Sequence, residues 1–248
     1  MLQLKSIYTA ACFSIILSCG NLNEVIYTAG GEILNPHAKL IPNEHEMISG
    51  LKEALVKGTE MGVSSLSQSG GYLDHPSFKI PFPTDAQKME QTLRDIGLGS
   101  EVDKVVVSLN RAAENAVTEA KPLFVNAIKE MSFQDVKQIL LGTDTAATAF
   151  LRSKTSIGLK QAFEPKIKTS LDQVNATKYW EDIVLAYNKV PFVTKMNPDL
   201  SSFVTDQAIK GLFMKIAEEE IAIRENPLER TSLLLKKVFD YADSEKKN

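Results

Sequence analysis

Apolar residues recur along the chain at intervals of three and four, which is the pattern of helices that bury one face in a core. The first stripe runs from Met47 to Leu66 and follows Asn43, a residue type that caps helix N-termini. Later stripes follow three pairs spaced as capping boxes: Thr84 with Gln87, Ser100 with Asp103, and Ser132 with Asp135. No alternation of strands and helices appears. The pattern therefore predicts an all-α fold, a single domain of about ten helices.

Breaks in the pattern predict where the later helices end. Residues 67–83 contain two adjacent glycines and several prolines, which predicts an ordered extended loop. The second half predicts helices over 144–163, 165–174, 177–188 and 205–224, with Pro165 separating the first two. The last helix is expected to begin at Pro227.

The N-terminus has the pattern of an export signal. Lys5 precedes an uncharged stretch over 7–17 that is too short to span a bilayer as a helix and ends in small residues. The letters ILSC at 16–19 resemble a lipobox, whose cysteine takes the lipid, here Cys19. We therefore predict a lipoprotein signal peptide over 1–18, a tether over 19–42 and a helical domain over 43–248.

Charge and composition exclude several functions. The chain has 28 basic and 31 acidic residues, a net charge of -3, and no basic run that could follow a phosphate backbone, so no nucleic-acid partner is expected. Its two cysteines, Cys12 and Cys19, fall in the leader and at the lipid site. The three histidines, His37, His45 and His75, lack the spacing of a zinc helix. We expect no metal and no cofactor.

Seven segments, taken in order and spacing, resemble the bacterial family known as domain of unknown function 4197. They are GLKEAL at 50–55, LNRAAE at 109–114, AKPLF at 120–124, AAT at 146–148, GLF at 211–213, EEE at 218–220 and RTSLLLKKVF at 230–239. The resemblance covers roughly residues 48–239. It implies an exported or envelope-associated helical domain, and it brings no catalytic residue with it.

Glu220 is the candidate site residue, because a helical wheel places it on the apolar side of its helix. Arg224 lies one turn further on and can reach it, and Arg111 or Arg230 could meet it from a neighbouring helix. The same wheel places Arg111 and Glu114 on the polar side of their own helix. One interpretation is a structural ion pair, since a buried carboxylate needs a partner. The other is a polar pocket in which Glu220 is a base.

A set of aromatic residues, Tyr179, Trp180 and Tyr187, also has two interpretations, because side chains at this helical spacing either pack in a core or line a groove. No nucleophile elbow or nucleotide-binding loop is present in the sequence.

The sequence favours a non-enzymatic lipoprotein over an enzyme. Its expected partners are the membrane, through the lipid, and either an envelope protein or a small amphiphile. Gly20 after the cysteine favours an outer-membrane anchor that faces the periplasm. The alternative is a hydrolase or lyase that uses a Glu/Arg pair in a helical pocket.

Overall fold

The structure is a computed structural model that describes residues 26–27, 33–34, 41–95, 97, 99–188, 195 and 199–246. The predicted signal peptide, Cys19 and most of the predicted tether lie outside these residues. By contacts the chain divides into two compact units, 1–39 and 40–248. In the first unit, strand β1 (Ile26–Tyr27) pairs antiparallel with strand β2 (Ile33–Leu34). Across the described ranges, every helix is too short or too polar to cross a bilayer.

The second unit is helical. Its α-helices in the described ranges are α1 (Glu44–Ser67), α2 (Gln87–Asp95), α3 (Gly99–Ala116), α4 (Ala120–Lys129), α5 (Phe133–Leu140), α6 (Ala146–Gln173), α7 (Ala176–Asn188), α8 (Leu200–Glu225) and α9 (Leu233–Glu245). Short 3-10 helices cover Thr84–Ala86, Val117–Glu119 and Pro227–Glu229. Where this unit is described it contains no strand, so the predicted all-α class is confirmed and the helix number is close to the expected one.

Two of the predicted helix starts are confirmed by their capping boxes. Asn43 Oδ1 accepts from the backbone N–H of Glu46, whose side chain accepts from the N–H of Asn43, and Ser132 and Asp135 do the same before α5. Hydrogen bonds from the Lys237 ammonium and from the Asn43 N–H lower the pKa of Glu46. These boxes satisfy backbone donors that the first turn of a helix leaves free.

Three predicted boundaries are wrong. Thr84 lies inside a 3-10 helix and α2 begins only at Gln87. Ser100 lies inside α3, which begins at Gly99. The proline at 227 opens a 3-10 helix, and α9 begins after Ser232, whose hydroxyl accepts from the N–H of Leu235. In each case the residue type suits a helix start, but the α-helix begins at a nearby residue.

The predicted break at Pro165 is also wrong, because α6 runs through it without interruption. A proline inside a helix removes one backbone hydrogen bond and its ring crowds the preceding turn. The side chains of Phe163 and Ile167 on either side are fully buried. Burial of this apolar face compensates for the lost bond, so one long helix forms where two were expected.

The long helices α6 and α8 pack against each other, with α1 against α8 and α3 against α6. Close packing at one point depends on a glycine. A Cβ added to Gly211 of α8 would lie 2.8 Å from Cε1 of Tyr72, whose side chain is fully buried in the loop between α1 and α2. The ring of Tyr72 therefore occupies the space that a larger residue at 211 would need.

Candidate functional site

Glu220 of α8 is buried, with 9% of its surface exposed, as the wheel predicts. Its carboxylate accepts from the backbone N–H of Ala147 at 3.0 Å and from the N–H and hydroxyl of Thr148 at 2.8 and 2.9 Å. These residues form the first turn of α6, whose own N-cap, Thr145, makes no side-chain capping bond. Glu220 therefore caps α6 from a different helix, where the helix dipole favours a negative charge.

Arg224 completes this ion pair and extends it to a second helix end. Its Nε and Nη2 donate to Oε1 of Glu220 at 3.0 and 2.9 Å. Its Nη2 also donates to the carbonyl of Ile139 at 2.9 Å, and Nη1 to that of Leu140 at 3.3 Å. These carbonyls end α5, where a positive charge is favourable. The pair thus joins the end of α5 to the start of α6.

Arg230 is the most deeply buried charged side chain among the described residues, at 1% exposure. It donates to the carbonyls of Ile223 at 3.1 Å and of Arg224 at 2.6 Å, near the end of α8. It also bridges Asp240 and Asp243 of α9 at 2.7 and 2.8 Å. Arg230 therefore fixes the turn from α8 to α9 and does not bond to Glu220.

The cavity beside Glu220 and Arg224 is small. Its volume is about 20 Å³, and apolar side chains such as Leu51, Ile216 and Phe239 complete its wall. Such a volume admits about one water molecule. We call Glu220, Arg224 and Arg230 the buried charge cluster. Its charged groups bond to helix ends and to each other, and it has no room for an organic substrate.

Arg111 takes a different partner from the one suggested. Its Nη1 donates to Oε2 of Glu114 on the same helix at 2.5 Å, and Glu220 bonds to Arg224 instead. The other oxygen of Glu114 accepts from the N–H groups of Gly70, Tyr72 and Leu73 at 3.1 to 3.2 Å.

Glu114 is 3% exposed, although the wheel places it on the polar side of its helix. The loop over 68–83 covers that side, and most of it is a series of turns, not the extended segment predicted. Asn110, one turn before Glu114, accepts from the N–H of Ile80 and donates to its carbonyl, both at 2.8 Å.

The Tyr72 hydroxyl donates to the carbonyl of Ala208 at 2.8 Å. Burial, with a smaller effect of Glu114, raises the pKa of Tyr72 well above its ordinary value.

A second, larger space lies between α2, α3 and α7. Its volume is about 490 Å³, within the range of pockets that hold small molecules. The residues that line it are mostly apolar: Phe82, Leu93, Glu101, Val102, Lys104, Val105, Ser108, Val174, Ala176 and Trp180. We call this space the Trp180 groove. The rings of Phe82 and Trp180 meet edge to face with centroids 5.5 Å apart.

Two buried polar atoms of α7 lack partners, and neither has surface open to the groove. Trp180 is 4% exposed, and its Nε1–H has no hydrogen-bond acceptor in the described part of the chain. The hydroxyl of Thr177, one turn earlier on α7, is buried and equally without a partner there. Buried polar groups are nearly always bonded, so each exception needs an explanation. Both interpretations of Trp180 hold in part, because it packs on Phe82 and also lines a groove.

The remaining sequence candidates lie either outside the described residues or against other side chains. The side chains of Tyr179 and Tyr187, like His37 and Cys19, lie outside the described residues. His75 stacks on Phe78 with ring centroids 4.0 Å apart. Across the described ranges, no three His, Cys, Asp or Glu residues are grouped as metal ligands. Phe82 was not predicted to belong to a site, because only the folded chain brings the loop, α3 and α7 together.

The described residues of the second unit form an all-α module with a structural charge cluster and a ligand-sized, mostly apolar groove. A family model described as a protein of unknown function (DUF4197) matches residues 42–240, and the chain belongs to that family. No curated protein and no solved structure matches the chain. Several segments that carry the family resemblance form structural contacts, among them Glu114, the α6 start at Ala146 and Glu220.

Proposed function

We propose that this protein is a non-enzymatic binding module of the cell envelope, and that it holds a small amphiphile in the Trp180 groove. The observation that carries the proposal is the contrast between two spaces. The groove measures about 490 Å³, whereas the cavity at the buried charge cluster measures about 20 Å³. A further space of about 550 Å³ in the described residues is lined mostly by polar side chains such as Asn115, Glu119 and Lys166. The Trp180 groove combines the size of a ligand pocket with a mostly apolar lining.

The polar groups at the groove also fit binding better than catalysis. Its charged lining residues, Glu101 and Lys104, bridge each other at 2.8 Å and are more than half exposed. They form a polar rim to an apolar interior, which is the arrangement that accepts a molecule with one apolar and one polar end. A hydrolase or lyase would need a base in contact with its substrate, and Glu220 is occupied as a helix cap.

Membrane attachment is proposed from the sequence. A lipid on Cys19 would tether the module to the envelope, with the outer membrane and a periplasm-facing domain favoured by Gly20. Multiple acyl chains anchor a protein stably, whereas one chain binds only marginally. A module held beside a membrane meets amphiphiles at high local concentration, which suits the proposed ligand.

Fractionation of native cells tests the anchor. The native protein should sediment with membranes and begin at an acylated Cys19 in intact-mass spectra. The variant Cys19→Ala should appear in the soluble fraction. A native protein with an unprocessed N-terminus would contradict the anchor and would leave the groove untouched.

Native mass spectrometry of protein purified from its own membranes tests binding. The wild type should carry a bound small amphiphile. Val105→Arg, which places a charge on the groove wall, should lose it. Val107→Arg is the matched control, because Val107 lies on the same helix, is 39% exposed and does not line the groove. Equal occupancy in both variants would contradict the proposal.

A further inference from the structure

We infer that the last turn of α2 is a movable wall of the Trp180 groove, which the ion pair of Arg94 with Asp103 holds closed, and that an amphiphile enters when this turn leaves α3. This inference rests on the proposed function, since it states how a ligand reaches the same groove. The packing of α2, the position of its ion pair and the glycine that follows it support the movement.

The three helical walls of the groove differ in how firmly they are packed. Val102 of α3 and Trp180 of α7 are almost fully buried, so these two walls belong to the core. All nine residues of α2 are described, and none of them is buried. The control for length is α5, which has only eight residues and yet buries Val136, Ile139 and Leu140. Because a helix with few buried side chains opens more easily than the core, α2 is the wall that can move.

The last turn of α2 closes one side of the groove. Leu93 lines the groove and is partly buried. The next residue, Arg94, donates from Nη2 to Oδ1 of Asp103 on α3 and to Oε1 of Glu90 on α2, both at 2.9 Å. The side chain of Arg94 is 36% exposed and that of Asp103 is 66% exposed, so water and salt weaken their attraction. The ion pair therefore holds Leu93 against the groove but can be released.

The chain on either side of α2 indicates which end moves. Before α2, the side chains of Phe82 and Ala86 are buried. After α2, Gly97 has a φ of 87°, which glycine adopts without strain. Among the described residues, no heavy atom beyond its chain neighbours lies within 4 Å of the place that a Cβ would take there. Packing thus fixes the N-terminal end of α2, and the turn with Leu93 and Arg94 can swing about Gly97.

Hydrogen exchange of the purified, ligand-free full chain tests the movement without a ligand. The backbone amides of α2 should exchange at least about tenfold faster than those of α5, whose three buried side chains hold that helix in the core. Exchange of α2 as slow as that of α5 would overturn the inference and leave the groove as a binding site.

Two variants change α2 in opposite directions. Arg94→Ala removes both ion pairs and should speed the exchange of α2 about threefold. Thr92 is exposed and its hydroxyl donates to the carbonyl of Lys88, so Thr92→Ala favours the helix and should slow the exchange about twofold. Both positions are outside the described lining of the groove. Lys160→Ala breaks an exposed ion pair of 3.0 Å between α6 and α8, and as the matched control it should leave α2 unchanged.

The rate of ligand entry tests whether this movement controls access. The full chain is mixed with 1-monooleoylglycerol, a small amphiphile, in a stopped-flow instrument, and the fluorescence of Trp180, the chain's single tryptophan, is recorded. A ligand that enters through the open form associates at a rate proportional to the population of that form. The association rate should therefore rise about threefold in Arg94→Ala, fall about twofold in Thr92→Ala and stay the same in Lys160→Ala.

The outcomes separate this inference from the proposed function. Equal association rates in the wild type and all three variants would overturn the movable wall and leave the groove as the ligand site. Faster exchange of α2 in Arg94→Ala without faster association would likewise overturn it, because ligand entry would not depend on α2. No fluorescence change with the wild type would overturn the proposed function, and the role of α2 with it.

Discussion

Glu220 and Trp180 are both less than a tenth exposed, at 9% and 4%, yet their polar atoms have opposite surroundings. The carboxylate of Glu220 accepts five hydrogen bonds, from Ala147, Thr148 and Arg224. The N–H of Trp180 has no acceptor in the described residues and is itself buried, although other atoms of the side chain line a space of about 490 Å³. The carboxylate of Glu220 joins helix ends within the fold. The ring of Trp180 instead forms part of the wall of a ligand-sized groove.

A second contrast separates two buried carboxylates that look alike. Glu220 and Glu114 each accept backbone N–H groups and each pair with an arginine on their own helix. The side chain of Arg224 is 6% exposed, whereas that of Arg111 is 41% exposed. Loss of Glu220 would leave a buried charge unpaired, while loss of Glu114 would leave a charge that water can reach. The two should therefore differ in what their removal costs.

The largest effect is expected at Glu220. Glu220→Ala should lower the free energy of unfolding by about 3–5 kcal/mol, because it leaves buried Arg224 without its carboxylate and α6 without its cap. Denaturant unfolding followed by circular dichroism measures this change. The matched control is Glu218→Ala on the same helix, whose carboxylate is 47% exposed and pairs with Lys215. It should change the free energy of unfolding by less than about 1 kcal/mol. Equal effects of the two substitutions would contradict the structural role of the cluster.

A smaller effect is expected at Glu114. Glu114→Ala should lower the free energy of unfolding by about 2–3 kcal/mol, because three loop N–H groups lose their acceptor but Arg111 turns to solvent. Hydrogen exchange should quicken at Gly70, Tyr72 and Leu73. Glu119→Ala, which breaks a longer pair with Lys166 at 3.5 Å between exposed side chains, is the control and should leave this loop protected. A cost at Glu114 equal to that at Glu220 would show that arginine burial does not distinguish the two sites.

The smallest effect is expected at Tyr72. Tyr72→Phe removes the bond to Ala208 and should cost about 1 kcal/mol near neutral pH. Because the folded state raises the pKa of Tyr72, it favours the neutral phenol. That contribution is complete below the unfolded pKa of about 10 and is lost as the pH rises above it. Unfolding curves above pH 10 should therefore decline less steeply for Tyr72→Phe than for the wild type. An equally steep decline in both proteins would contradict the role of the buried phenol.

The features that could be predicted from the sequence are those that depend on neighbours along the helix. The capping boxes at Asn43 and Ser132 need only residues three apart, and the burial of Glu220 follows from the apolar residues on its own helix. The same spacing placed the starts of α2 and α3 at the wrong residues, Thr84 and Ser100. Two other predictions failed because they depend on the rest of the fold. The burial of Glu114 is set by a loop that crosses its polar side, and the continuity of α6 through Pro165 is set by packing.

The Trp180 groove likewise could not be predicted from the sequence, because it is formed by residues from separate elements. Trp180 was noticed as an aromatic residue, but its spacing fits a core and a groove equally well. The groove and its wall from α3 become visible only when three helices and the loop residue Phe82 are assembled. Composition and periodicity carry no information on which polar atoms remain without a partner.

The most direct test of whether the ligand binds in the groove or at the charge cluster is the affinity of Glu220→Gln for 1-monooleoylglycerol, a small amphiphile. Binding is read from the fluorescence of Trp180. Glutamine keeps the shape and part of the hydrogen bonding, so the protein should fold, with its free energy of unfolding lowered by about 1–3 kcal/mol. We predict an affinity within about twofold of the wild type, a difference below 0.5 kcal/mol. Loss of binding in a variant of unchanged stability would contradict this account and assign the ligand site to Glu220.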